Sequence, residues 1–178
     1  MKVEPADLHK RAARIRLVLM DCDAVLTDGR VWLMNDGDEL KAFDVHDGQG
    51  IALLHRAGLK TGIISGRNSS TVERRGRELQ IDYVRQSVSE KLRTFDEVLS
   101  DAKVSTSECA YVGDDLADIS IMRRVGLAIA VANAVEETRT AAHYITSLDG
   151  GKGAVREVCE LILKAQGRWD ELIRKYLE

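Results

Sequence analysis

One proline, three cysteines and no long apolar run exclude a good deal. With Pro5 alone there is no proline-rich hinge, and no linker, low-complexity segment or internal repeat divides the chain. Nothing approaches the roughly 18 consecutive apolar residues of a membrane span. Met1 to Arg16 carries bases without the apolar centre of a secretory signal. The cysteines Cys22, Cys109 and Cys159 are odd in number, and the first two lie in or beside apolar segments. They read as small buried hydrophobes rather than disulfides or metal ligands, in a reducing, cytoplasmic setting. Neither sign of charge dominates. Against 29 acids stand 26 bases, and the net charge of −3 gives no electrostatic case for nucleic acid or an anionic membrane. What remains is a 178-residue chain, 44% hydrophobic, of ordinary globular composition and long enough for one domain with a sizeable core.

The most informative stretch runs from Ile15 to Gly29. Ile15-Arg16-Leu17-Val18-Leu19-Met20 has the near-continuous apolarity of a strand buried on both faces. It delivers Asp21 and Asp23 to its C-terminal end, the edge at which open α/β sheets bind ligands. Residues two apart on a strand share a face, so both carboxylates can meet one ligand where the chain bends suitably. Two such close charges are costly without a cation or proton between them. In isolation, an Asp-x-Asp pair reads as two solvated turn residues. The motifs further along the chain reverse that reading.

Strands then alternate with helices. Arg30 to Met34 and Glu39 to Asp44, around Asn35-Asp36-Gly37-Asp38, predict a β-hairpin at about 30–44. Trp32, Leu33 and Met34 make it apolar, and a lone hairpin must pack on something. That something is its own domain or copies of itself, and copies are favoured. A helix from His46 to a C-cap at Gly58 precedes a strand over 59–64, and Ser69 or Ser70 opens the next helix. Strands follow at 81–84, 108–112, 127–131 and 144–145. Ser87-Val88-Ser89-Glu90 has capping-box spacing ahead of a helix carrying Leu92, Phe95, Val98 and Leu99. Ile119, Met122 and Val125 line another helix, and Ala134 to Ala142 forms a further one. Val155, Val158 and Ile162 mark the last long helix, and the tail Trp169 to Leu177 is amphipathic, suited to dock on a neighbour. The order predicts a parallel sheet with helices on both faces.

Polar groups gather where these strands end. Asp21 and Asp23 close the first, Ser65 the second, Asp114 and Asp115 the fourth, and Lys91 opens the helix after the third. In a parallel sheet all these ends share one edge. Acids, a hydroxyl and a lysine converging there suit a magnesium ion and a phosphate. Each has a plainer reading alone: Ser65 as a turn residue, Lys91 as a solvated lysine, Asp115 and Asp118 as helix N-terminal acids.

Asp21-x-Asp23-x-Val25, Ile64-Ser65-Gly66, Lys91 and Gly113-Asp114-Asp115-x-x-Asp118 together resemble the four ordered motifs of the haloacid dehalogenase superfamily of phosphotransferases. The resemblance spans Ile15 to about Gln166. It implies a Rossmann-like three-layer α/β/α sandwich making one domain over 1–178, with the C-terminal helix and tail at about 154–178. It assigns Asp21 as the nucleophile that forms an aspartyl-phosphate and Asp23 as the proton shuttle. Magnesium would be held by Asp21, Asp114 and the backbone carbonyl of Asp23. Ser65 and Lys91 would hold the phosphoryl oxygens, while Asp115 and Asp118 orient waters and Lys91.

From Asp21 to Ser65, and from Ser65 to Asp114, there is no room for a large cap domain. Capless members of this size are similar to the 3-deoxy-D-manno-octulosonate 8-phosphate (KDO 8-phosphate) phosphatases of lipopolysaccharide sugar biosynthesis. In them hairpins pack together in a homotetramer and a neighbouring subunit helps close the site. Leu26-Thr27-Asp28-Gly29, Phe43 to Gly48, Ser65-Gly66-Arg67, Tyr111 to Leu116 and Gly150 to Glu157 carry this closer likeness. It implies substrate contacts by Asp23, Asp44, Val45, His46, Asp47, Gly48, Gly66, Arg67, Arg75 and Lys91. An arginine offers a carboxylate or phosphate two parallel donors. The glycines before Ala154 would let a tail approach a neighbouring site. Three departures concern the exact sugar: Ala24 in place of a glycine, His46 in place of an arginine, and Ala52 in place of another arginine. The alternatives are a nonulosonate (sialic-acid-like) 9-phosphate phosphatase and a non-catalytic phosphatase-like assembly module. A signalling receiver domain is disfavoured, because its phosphorylated aspartate ends the third strand, whereas here that strand ends at Arg85-Gln86.

Overall fold

The computed structural model describes residues 4–35 and 39–178. Its centre is β1 (Leu17–Met20), four consecutive residues of zero exposure. Only a strand flanked on both edges and covered on both faces needs apolar side chains on every residue. In sequence order the flanking elements are α1 (Pro5–Ala13) before β1, then β2 (Trp32–Leu33) and β3 (Glu39–Leu40). The middle of the chain holds α2 (Val45–Arg56), β4 (Lys60–Ile64), α3 (Ser70–Glu78), β5 (Tyr83–Arg85) and α4 (Lys91–Ala102). It ends with β6 (Cys109–Gly113), α5 (Ile119–Met122), β7 (Leu127–Ala130), α6 (Glu136–Ala141), β8 (Tyr144–Ile145), α7 (Ala154–Ala165) and α8 (Trp169–Arg174).

Six strands form one parallel sheet in the order β5-β4-β1-β6-β7-β8, with Met20 opposite Ile63 on one side and Val112 on the other. The chain first winds from β1 towards β5 and then returns beyond β1 to β6 and β8. Right-handed crossovers therefore put α2 and α3 on one face and α4, α5 and α6 on the other. Consistently, α7 packs against α2 and α1, while α5 packs against α4 and α6. The winding reverses between β1 and β6, which leaves a crevice at their C-terminal ends, where such sheets bind ligands. Asp21 and Asp114 each follow one of those two strands.

The expected hairpin forms, but only as two-residue strands, Trp32 opposite Leu40 and Leu33 opposite Glu39. Its turn at 36–38 lies outside the described residues. Trp32 (62% exposed), Leu33 (78%) and Leu40 (56%) are all exposed, while the Lys41 side chain beyond them is 1% exposed.

Several local expectations shift. The third strand is Tyr83–Arg85, because its ladder to β4 begins at Tyr83 opposite Gly62. The capping box at Ser87–Glu90 does not form: Glu90 precedes α4 without a side-chain cap, and Ser87 sits at φ +56°. The helix expected around Ile119 to Val125 is one turn preceded by a 3-10 turn at Leu116–Asp118. Ser69 precedes α3 without a side-chain capping bond. The tail makes contacts with its own chain, and Tyr176 and Leu177 remain exposed. Trp169 lies under Arg156 and Lys164, and the Tyr176 hydroxyl accepts hydrogen bonds from Gln49 and Arg56. Among the described residues no helix is long and apolar enough to cross a membrane.

Candidate active site

Where β1 ends, the Asp21 N–H still bonds the Val112 carbonyl across the sheet, so Asp21 is held in ladder register. Its Oδ1 accepts from the Cys22 N–H (2.7 Å) and its Oδ2 pairs with Lys91 Nζ (2.8 Å). Lys91, first residue of α4 and nearly buried, reaches Asp118 Oδ1 at the same 2.8 Å. Asp118, of zero exposure, is saturated. Oδ1 also accepts from the buried Tyr111 hydroxyl (2.7 Å), and Oδ2 accepts from the N–H groups of Asp114 (2.9 Å) and Asp115 (3.3 Å).

Asp21, Asp114 and Asp118 offer carboxylate oxygens all within 4.8 Å of one another. Three acids share one ammonium, an excess of two negative charges in a partly buried crevice. Burial raises Asp21 to about 6 against the pull of Lys91, and Asp114 rises to about 7 through burial and then the charges of Asp118, Asp21 and Asp115. Burial alone would lower Lys91, but Asp118 and Asp21 more than offset it and hold the lysine above its ordinary value. Asp114 Oδ1 is buried without a hydrogen-bond partner among the described residues. A divalent cation answers both the excess charge and the orphaned oxygen. Because Asp118 is spent on four donors, Asp21 and Asp114 are the side chains left to hold it.

Asp23 stands apart from this cluster. Its Oδ1 bonds the Lys41 ammonium, and Oδ2 lies 3.7 Å from Arg67 Nε. Lys41 also lies 3.4 Å from Glu39 Oε1, and Arg67 Nη2 donates to Glu39 Oε2 at 2.7 Å. Burial opposes the charge on Lys41, but the bond to Asp23 and the charges of Asp23 and Glu39 raise it above its ordinary value.

Ser65, buried at the end of β4, accepts the Arg67 N–H at 3.3 Å, and Gly66 beside it is exposed. Arg75 is largely buried: Nη1 pairs with Glu78 (3.0 Å), the guanidinium lies 5.7 Å from the Phe43 ring, and Nε has no partner. Gly48 lies beside it, where a Cβ would fall 2.7 Å from the movable Arg75 Nη2. Val45 and His46 are exposed, and His46 bonds the carboxylate of Asp44, the α2 N-cap.

Two expectations need correction. Asp47 is 1% exposed, its Oδ1 accepting the Arg156 N–H (2.7 Å) at the start of α7 and its Oδ2 buried without a partner among the described residues, so burial rather than exposure to a substrate marks this carboxylate. Asp115 is exposed and accepts the Leu116 N–H (2.7 Å), so orienting Lys91 falls to Asp118. The Gly150-Gly151 pair packs on its own chain: a Cβ at Gly150 would fall 1.6 Å from the Ala24 carbonyl oxygen, and Gly151 N–H donates to Val25 O (2.9 Å). Ala24 itself takes the left-handed φ of +57°. Lys41, Glu39 and Tyr111 escaped the reading of the sequence. The inward alternation of Glu39-Leu40-Lys41 is the one signal that would have found the first two.

Residues 80–157 match the family of haloacid dehalogenase-like hydrolases. A 3-deoxy-D-manno-octulosonate 8-phosphate phosphatase of Escherichia coli (strain B / BL21-DE3) is 45% identical, over 93% of this chain and 88% of its own. The crystal structure of a probable YrbI family phosphatase from Pseudomonas syringae is 47% identical, with a TM-score of 0.95 over 97% of this chain and 98% of that one. The KDO 8-phosphate phosphatase of Moraxella catarrhalis, solved with magnesium, phosphate and KDO, is 42% identical, with a TM-score of 0.95 over 97% and 99% of the two chains. Such identity along almost the whole chain, on one shared fold, means that it belongs to the haloacid dehalogenase-like hydrolases, in the branch of the KDO 8-phosphate phosphatases.

Proposed function

We propose that this protein is a magnesium-dependent phosphatase that converts KDO 8-phosphate to KDO and inorganic phosphate, in lipopolysaccharide sugar biosynthesis. The observation that carries the reading is the Asp21, Lys91, Asp114 and Asp118 constellation at the reversal of the sheet, in a chain 45% identical to such an enzyme. The Asp21 carboxylate attacks phosphorus, an aspartyl-phosphate (an acyl phosphate) forms on Asp21, and the bond to the sugar oxygen breaks. Asp23 gives its proton to the departing alkoxide. It then takes a proton from the water that attacks the phosphorus, releasing phosphate and restoring Asp21. Lys91 and Ser65 hold the phosphoryl oxygens, and Asp118 with Tyr111 keeps Lys91 in place. Asp21 and Asp114, with the Asp23 carbonyl, would hold magnesium, whose charge offsets the negative charge of the phosphoryl group. Arg67 and Arg75 are the cations available to the sugar acid, with Asp44, Val45, His46, Gly48 and Gly66 around them.

The single domain 1–178 works as a homotetramer in the cytoplasm, and a neighbouring subunit completes the site. The exposed Trp32, Leu33 and Leu40 support assembly through the hairpin, and three free buried cysteines suit a reducing compartment. The test is phosphate release from KDO 8-phosphate with magnesium, from a nonulosonate 9-phosphate and from hexose phosphates, by the wild type and by Asp21→Asn. Turnover of the octulosonate ester in preference to the others, abolished in the variant, is expected. Normal turnover by Asp21→Asn would refute the nucleophile, and preference for the nonulosonate or hexose esters would refute the substrate.

A further inference from the structure

The described residues place a second buried ammonium at the same sheet edge, and the chemistry above makes no use of it. Lys41 directly follows the second hairpin strand, and its side chain is 1% exposed. Its Nζ bonds Asp23 Oδ1 and lies 3.4 Å from Glu39 Oε1. Burying an ammonium costs several kcal/mol unless close partners repay it, so such a lysine is held for its contacts rather than for packing. The contacts form a clamp. Glu39 is itself fixed, by Arg67 Nη2 on its carboxylate (2.7 Å) and by the Thr71 hydroxyl on its carbonyl (3.2 Å). Asp23 is thereby gripped through Oδ1, while Oδ2 has no close donor among the described residues and lies 3.7 Å from Arg67 Nε.

We propose that Lys41 is a positioning residue for proton transfer, pinning one oxygen of Asp23 so that the other faces the leaving sugar oxygen. The inference rests on the role assigned to Asp23 in the proposed function. As the Asp21–phosphorus bond forms and the phosphorus–sugar oxygen bond breaks, the Asp23 proton passes to the alkoxide. The carboxylate left behind lies against the Lys41 ammonium. The hairpin then belongs to the proton-transfer apparatus as well as to any subunit contact.

Leaving-group basicity tests this. A sugar alkoxide is a strong base and departs only with a proton, whereas p-nitrophenolate departs without one. Misplacing the general acid therefore slows leaving-group departure from the first ester and spares it in the second, while the later water step, in which Asp23 is the base, is common to both. The kcat/KM values for KDO 8-phosphate and p-nitrophenyl phosphate, which report only the steps up to departure of the leaving group, are compared on the same preparations of wild type, Lys41→Met, Lys41→Arg and Asp23→Asn. Their ratio cancels any loss of folded protein. General acid catalysis is worth about 10²–10⁴, so Asp23→Asn should lower the sugar-to-aryl ratio by about that factor. Lys41→Met should lower it by about 10–100, and Lys41→Arg should regain most of it. An unchanged ratio in Lys41→Met beside a collapsed ratio in Asp23→Asn overturns the role of Lys41 alone. An unchanged ratio in Asp23→Asn overturns the role of Asp23, and that of Lys41 with it.

Discussion

Titrating the metal-free protein with magnesium at two pH values isolates what Asp21 and Asp114 contribute. Both carboxyls lie above their ordinary value of 3.8, Asp21 at about 6 and Asp114 at about 7, with burial the largest cause in each. A raised pKa means that the folded state binds the proton more tightly than the unfolded chain. The resulting stability is fully present below about pH 4 and is lost as pH rises through 6 and then 7. Magnesium must displace those protons. Near pH 8 little proton remains, whereas at pH 5 stripping the two carboxyls spans about three pKa units in total, on the order of 4 kcal/mol. Apparent affinity should therefore fall by roughly a thousandfold between pH 8 and pH 5. Magnesium at a hundred times its pH 8 dissociation constant adds about 2.7 kcal/mol. In a chain of this length that raises the melting midpoint by roughly 5–11 °C. At pH 5 the same concentration lies about tenfold below the dissociation constant, and the shift should fall below about 1 °C. Thermal melting of chelator-stripped protein, followed by circular dichroism, reads both values, and Asp114→Asn should lose the pH 8 shift. Equal shifts at the two pH values, or a full shift in Asp114→Asn, would refute the assignment of these carboxylates to the cation.

Ala24→Gly should stabilise the loop that carries Asp23, because Ala24 holds φ +57°. The left-handed conformation costs a non-glycine residue roughly 1–2 kcal/mol, against about 0.5–1 kcal/mol of chain entropy for glycine. A gain of about 0.5–1 kcal/mol should appear as a midpoint roughly 1–4 °C higher, and a lower midpoint would contradict it. The hairpin reading is tested by mass in solution. Wild-type protein should elute as a tetramer and Trp32→Glu/Leu33→Glu as a smaller species, and a monomeric wild type would rule out assembly through this face.

Much of this was legible in the sequence because each signal was local. Four consecutive apolar residues running into Asp21 mark a central parallel strand without any partner being known, and alternating strands and helices restrict the topology. Ser65, Lys91 and Asp114 could be placed at one edge because parallel strands all end there. Legibility failed where a residue's partner lies far along the chain. Asp47 looks like a loop acid, but α7, more than a hundred residues later, takes its Oδ1 for the N–H of Arg156. The sequence offers a capping box at Ser87 to Glu90, yet Ser87 N–H is drawn to the Arg67 carbonyl and the box stays open.

The sequence by itself determined the sheet, its reactive edge and the identity of the acids there, since these follow from hydrophobic periodicity and from the direction of parallel strands. Only the tertiary structure decided how those acids divide the work. Asp118 is spent on Lys91, Tyr111 and two backbone donors, which leaves Asp21 and Asp114 for a cation. Lys41 reaches Asp23 across eighteen positions of chain. Such pairings depend on side chains meeting through space, and no spacing along one chain encodes them.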